Sequence, residues 1–263
     1  MRQLLEEIHV SVLPPAGSGS GPGSCDWVDD CVSVPLGRVG RSLETIYQRL
    51  WSACGPQQWW PAQTSFEVMV GAVLTQATNW RNVEQAIDRL RRAGALTPQR
   101  LARVPVGRLA RWVRPTGYFR QKARRLKALT QWYVRRYQGR PSRMFRVPWQ
   151  RLRDELLKVH GIGPETADSI LLYAGAQPVF VVDAYTRRIF RRHRLIGSNA
   201  TYDAIQRLVM RHLPAPTPVV AKRYNEFHAL LVAVGKRHCH RRNPDCDRCP
   251  LGDLPHTIEP LSD

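Results

Sequence analysis

From Ser42 onward the apolar residues recur at intervals of three and four, the spacing that places them along one face of a helix. Ile46, Leu50 and Trp51 line one face of a first helix that should end near Gly55. SFEVMVGAVLTQA, residues 65–77, is apolar almost all round behind a cap at Ser65, which predicts a central buried helix. Thr97 and Pro98 form a cap and first-turn pair ahead of LARVPVGRLARWV. Gly117 interrupts the chain, and FRQKARRLKALTQWYVRRY returns to helical spacing. A further helix is predicted over 150–159, with Leu152, Leu156 and Val159 on one side. Beyond a turn at 160–163, Ala167, Ile170, Leu171 and Ala174 repeat at i, i+3, i+4 and i+7. VFVV at 179–182 has no partner strand in view and reads as a buried connector. AKRYNEFHALLVAVG, 221–235, closes the helical body. The fold class is all-α.

Composition divides the chain further. PPAGSGSGPGS at 14–24 cannot bury a core. Residues 1–41, with Cys25 and Cys31, are therefore expected to form a disordered extension, 42–238 a helical domain and 239–263 a Cys-rich loop and tail. No apolar run is long enough to span a membrane, and the N-terminus lacks the layout of a secretory signal. The formal net charge of +19 points to a polyanionic partner, since Lys and Arg displace the counterions condensed on nucleic acid.

The sharpest local signal is HGIGPETADSI, residues 160–170. Two helices joined by the tight turn Gly161-Ile162-Gly163 present backbone N–H groups at the second helix's start, an arrangement suited to a DNA phosphate. Asp183 stands eighteen residues beyond Glu165, directly before AYTRRIFRR, as either a helix cap or a catalytic carboxylate. The stretch LLKVHGIGPETADSILLYAGAQPVFVVDAYTRRIFRR resembles the helix-hairpin-helix and Gly/Pro-Asp signature of the endonuclease III superfamily of DNA glycosylases. GAVLTQATNWRNV (71–83) and GYFRQKARRLK (117–127) are similar to other segments of that family. The resemblance, covering about residues 42–250, implies a two-lobed all-helical fold with a cleft into which a damaged nucleotide is flipped. It implies Asp183 as the catalytic aspartate and Gln76 as the filler of the gap left in the duplex. Tyr118, Arg120 and Lys122 fall where the family approaches DNA. In strand-cleaving members the residue two places after the hairpin's second glycine is a lysine that forms an imine; here it is Glu165, which implies a monofunctional enzyme that leaves an abasic site. The alternatives are a silent damaged-DNA-binding protein and a lyase using another lysine such as Lys158.

QQWWPAQ at 57–63, with Trp80 following, resembles the 3-methyladenine DNA glycosylase III branch, whose aromatics line the base pocket. Trp59, Trp60 and Trp80 are the pocket candidates, and an alkylated purine, being cationic, would stack well on them. Cys239, Cys246 and Cys249 are spaced C-x6-C-x2-C. In many relatives a fourth cysteine completes a [4Fe–4S] cluster, but Pro255 takes its place here, with His256 next. A cluster completed by His256, a zinc-type site and a metal-free loop all remain open. The implied partner is damaged double-stranded DNA, bound by a monomer; the implied location is cytoplasmic.

Overall fold

The computed structural model describes residues 36–57, 60, 62–214 and 219–258. Among them are twelve α-helices and no strand. The Gly/Pro/Ser segment, Cys25, Cys31 and Trp59 lie outside the described residues.

The first helix, α1, spans Leu36–Cys54, so it starts before the expected boundary. Its buried face is Val39, Leu43, Ile46 and Leu50, whereas Trp51 is 38% exposed. The i, i+4, i+7 register that buries Ile46 and Leu50 turns position 51 about 100° away, which corrects its place on the buried face. The central helix α2, Ser65–Leu74, is buried from Phe66 onward. Its cap is Thr64, one residue earlier than expected: extended there, its hydroxyl accepts from Glu67 N–H. Glu67 sits buried in this helix, tolerated because Arg91 pairs with it at 2.9 Å.

Helix α3 (Trp80–Arg92) is followed by α4 (Pro98–Arg103), capped by Thr97 as expected, and α5 (Val106–Trp112). The break between the last two falls at Val104, held extended because Pro105 follows it. Helix α6, Phe119–Tyr137, matches its predicted stretch, and α7 is the short Pro141–Met144. Helices α8 (Trp149–Leu157) and α9 (Pro164–Ser169) flank the Gly161–Gly163 turn, and α9 widens into a π-turn at Ile170–Ala174. Val179–Val182 is a buried connector. It leads to α10 (Ala184–Arg192), α11 (Tyr202–His212) and α12 (Val219–Arg237).

Helices α4, α5 and α7 pack on α6, with α3 beside α2 and α5, while α1 and α10 pack on α12 and α11 packs on α1. Central α2 and the π-turn pack together between the two groups, so the hairpin and the connector meet where the groups join. A buried polar network fixes that junction. Asp168, fully buried on α9, accepts two hydrogen bonds from Arg153 at 2.8 and 3.2 Å and one from Gln206 at 2.7 Å. Gln206 also donates to Phe180 O at 2.6 Å, tying the connector to the hairpin. With three donors satisfying it, the Asp168 charge costs far less to bury than an unpaired one would.

Candidate active site

The hairpin owes its shape to Gly161, whose φ of +78° is left-handed and which lies so close to Arg125 that a Cβ would overlap that side chain. Ile162 is buried and anchors the turn, while Gly163 is exposed, with open space where a Cβ would be. No side chain caps α9, which leaves its first N–H groups to other acceptors. Gln76, just past the end of α2, reaches this turn: its amide donates to Thr166 Oγ1 at 2.9 Å and Gly161 O at 3.3 Å, and its carbonyl accepts from Arg125. Thus Gln76 and Gly161 of the hairpin, 85 residues apart, meet.

Asp183 caps α10, with Oδ1 accepting from Thr186 N–H at 2.7 Å. Its other oxygen lies 3.6 Å from His228 Nε2, a charge–dipole contact longer than a hydrogen bond. Burial acts to raise the Asp183 pKa, but His228 and the Thr186 amide outweigh it and hold the carboxyl below its ordinary value. Glu165, in the first turn of α9, is exposed. The protein crowding it, and then the Asp183 charge, push it up to about 6, against a smaller opposing pull from His228. One carboxylate is thus kept ionised while its neighbour titrates near neutrality.

The aromatic side chains form a row that leads to Asp183. Trp80 meets Trp60 edge-on at 5.3 Å, Trp60 stacks on Tyr173 at 4.9 Å and 22°, and the Tyr173 hydroxyl lies 2.5 Å from His228 Nδ1. Trp60 has a left-handed φ of 70°, and its buried Nε1 has no hydrogen-bond partner among the described residues. Each feature costs about 1–3 kcal/mol, so this ring is held in place at some expense to stability. Gly71 of α2 makes room for it, with an ideal Cβ only 3.1 Å from the indole.

Of the other expected residues, Tyr118 is 69% exposed in a left-handed turn at the start of α6, and Arg120 follows it. Lys122 does not face outward. It is buried, donating to Thr116 O at 2.6 Å and Leu74 O at 3.0 Å, and desolvation followed by the Arg125 charge lowers its pKa to about 8. The expectation of a DNA-facing lysine is corrected: its ammonium closes the carbonyl end of α2, where a cation opposes the helix dipole. Lys158 is exposed at the end of α8.

Cys239, Cys246 and Cys249 line one cavity together with His256, His193 and Arg192. The Arg192 guanidinium, itself buried, donates to Cys239 Sγ at 3.1 Å. Burial is the main cause that raises the thiol pKa values of Cys246 and Cys249. His256 Nδ1 is 2.8 Å from Leu254 O, so that nitrogen carries the proton and Nε2 keeps a lone pair. Among the described residues no three His, Cys, Asp or Glu side chains are set to hold a single metal ion. Three thiols and the His256 imidazole around one space supply the donor chemistry that an iron–sulfur cluster takes.

Sequence reasoning missed Tyr173, His228, Arg125 and the Arg153–Asp168–Gln206 network. A signal existed for two of them: a tyrosine inside ILLYA and a histidine inside FHALL each interrupt an apolar face.

A Gly161–Gly163 turn between two helices, a carboxylate capping the helix that follows and a row of aromatic rings between two helical groups are features of the helix-hairpin-helix class. Residues 70–215 match the HhH-GPD superfamily of base excision DNA repair proteins, and the chain belongs to that family. Residues 239–254 match the iron–sulfur binding domain of endonuclease III. A Methanocaldococcus jannaschii protein named as a candidate DNA repair glycosylase is 43% identical over 80% of this chain and 93% of its own length. Endonuclease III of Thermotoga maritima is 30% identical over 71% of this chain and 80% of its own. Among solved structures, the H. pylori 3-methyladenine DNA glycosylase bound to 1,N6-ethenoadenine superposes with a TM-score of 0.63 at 30% identity, covering 78% of this chain and 98% of that one. A trapped endonuclease III–DNA covalent intermediate gives 0.68 at 23% identity, covering 84% and 95%, and likewise shares the fold.

Proposed function

We propose that this protein is a monofunctional DNA glycosylase that hydrolyses the N-glycosidic bond of a flipped, alkylated purine such as 3-methyladenine in double-stranded DNA. The observation that carries this reading is Asp183, held ionised at the end of the aromatic row with Glu165 beside it. Rupture of the glycosidic bond leaves an oxocarbenium-like sugar, and a fixed carboxylate stabilises that charge as it develops. The Thr186 amide fixes Oδ1, and His228 Nε2 faces Oδ2 at 3.6 Å. The target bond is out of reach inside a stacked duplex, so the nucleotide must be extruded. The uncapped start of α9 beside the Gly161–Gly163 hairpin grips the backbone, and Gln76 is positioned beside it to enter the gap.

For the base, the support is the electron-rich row of Trp60, Trp80 and Tyr173, on which a cationic purine gains about 0.5–2 kcal/mol. The solved 3-methyladenine glycosylase, matched over nearly its whole length, supports the same choice. For the mechanism, the support is Glu165: a carboxylate forms no imine, so water is the nucleophile and Asp183 orients it. Cys239, Cys246, Cys249 and His256 would hold an iron–sulfur cluster that braces the tail and takes no part in hydrolysis. Borohydride treatment during turnover tests the monofunctional claim. No covalent protein–DNA adduct should form, and an adduct, through Lys158 or any other amine, would contradict it.

A further inference from the structure

Resting on that reading of Asp183, we propose that Tyr173 and His228 form a relay by which the base pocket sets the orientation of the catalytic carboxylate. His228 is a positioning residue and Tyr173 its link to the stacked base. The geometry is continuous. The Tyr173 ring is one wall of the aromatic row, stacked on Trp60, and its hydroxyl reaches His228 Nδ1 at 2.5 Å. When that hydroxyl donates to Nδ1, the imidazole proton sits on Nε2, the nitrogen that faces Asp183 Oδ2 at 3.6 Å. The opposite tautomer would set a lone pair against a carboxylate. Tyr173 therefore chooses the form of His228 that supports an ionised Asp183.

Three different elements supply the members, so no local turn explains their meeting: Tyr173 from the π-turn, Asp183 from the start of α10 and His228 from α12. His228 is buried, packed also against the Phe180 ring, and the acids near it are Asp183 and Glu165. Thr186 N–H already secures Oδ1, so His228 decides whether Oδ2 turns toward the sugar or away. A base stacking on Trp60 presses on Tyr173, and its hydroxyl passes the displacement to the imidazole. Occupancy of the pocket and readiness of the carboxylate are coupled through two side chains.

The test compares Tyr173→Phe, His228→Phe and His228→Gln with wild type, first confirming folding by thermal melting. Tyr173→Phe keeps the stacked ring and removes only the hydroxyl, so it remains informative if His228→Phe does not fold. Single-turnover base release should fall about tenfold in Tyr173→Phe, the equivalent of one hydrogen bond, and further in His228→Phe, with the Kd for lesion DNA unchanged. His228→Gln, which retains an N–H donor, should recover part of the rate. The acid limb of the pH–rate profile should move to higher pH in Tyr173→Phe and His228→Phe, because a carboxylate that loses the facing imidazole N–H dipole is protonated more easily. The carboxyl carbon of Asp183, assigned in NMR by its loss in Asp183→Asn, should show the same upward movement without any reaction. Wild-type rates in Tyr173→Phe and in whichever His228 variants fold, or a slower reaction with an unmoved Asp183 titration, would overturn the relay. Movement of that titration in a protein that releases no base would uphold the relay and refute the glycosylase reading instead.

Discussion

At the scale of single residues, the site depends on side chains whose environments oppose their ordinary chemistry. Asp183 is crowded by protein yet held ionised, because His228 and the Thr186 amide act against desolvation. Asp183→Asn keeps the cap geometry and removes the charge, so it should cut base release at least about a hundredfold while DNA affinity persists, as a filter-binding or anisotropy assay would show. Glu165 gives a pH prediction of definite sign. Its folded value of about 6 lies above the ordinary 4.5, so between those values the folded state binds more protons than the unfolded chain. Stability is therefore lost as pH rises through that window, and Glu165→Gln should raise Tm relative to wild type above pH 6 but not below pH 4.5. The sequence pointed to Asp183 because Asp before a helix is a legible cap and the flanking motif is specific. It could not show His228, since its function lies in its distance from an aspartate 45 positions away.

At the scale of elements, the hairpin works because α8, α9 and the end of α2 are tied to one another. Gly161→Ala places a Cβ at a φ of +78° and against Arg125, which itself binds Gln76. We expect a loss of about 1–3 kcal/mol in chemical denaturation, and a DNA affinity that falls with it. Helix periodicity predicted α2, α6, α8 and α12 closely, because each buries a face of regular spacing. It missed the split between α4 and α5 at Val104–Pro105, where both halves keep an apolar side, and it placed Trp51 inward on hydrophobicity alone. The Cys-rich loop is also an element-scale question. Protein purified without oxygen should show the visible charge-transfer absorbance of an iron–sulfur cluster, reduced in Cys246→Ser and in His256→Ala. Identical spectra in wild type and both variants would leave the loop without its cluster.

For the whole molecule, charge is distributed very unevenly. Residues 89–153 hold twenty Lys and Arg and not one Asp or Glu, so this block alone accounts for the net charge of the chain. Arg111, Arg114, Arg120 and Arg124 line a groove where α5 meets the start of α6, close in sequence to exposed Tyr118. In the proposed reading, duplex DNA held at the hairpin meets this basic groove on the lobe built around α6. Neutralising Arg111, Arg114 and Arg124 together should lower the slope of log K against log salt by about three, and titrations at several salt concentrations measure it. The two-lobed arrangement was legible from the order of helices and the family motif. The aromatic row was legible only in part, since Trp60 and Trp80 carry a sequence signal whereas Tyr173 joins them through the tertiary fold. The central claim, that the site removes an alkylated base by hydrolysis at Asp183, is tested most directly on DNA treated with a methylating agent. Wild type and Asp183→Asn are incubated with that DNA, and the freed bases are identified by mass. The account predicts 3-methyladenine released by wild type and not by the variant. Equal release by both, or none by wild type, would contradict it.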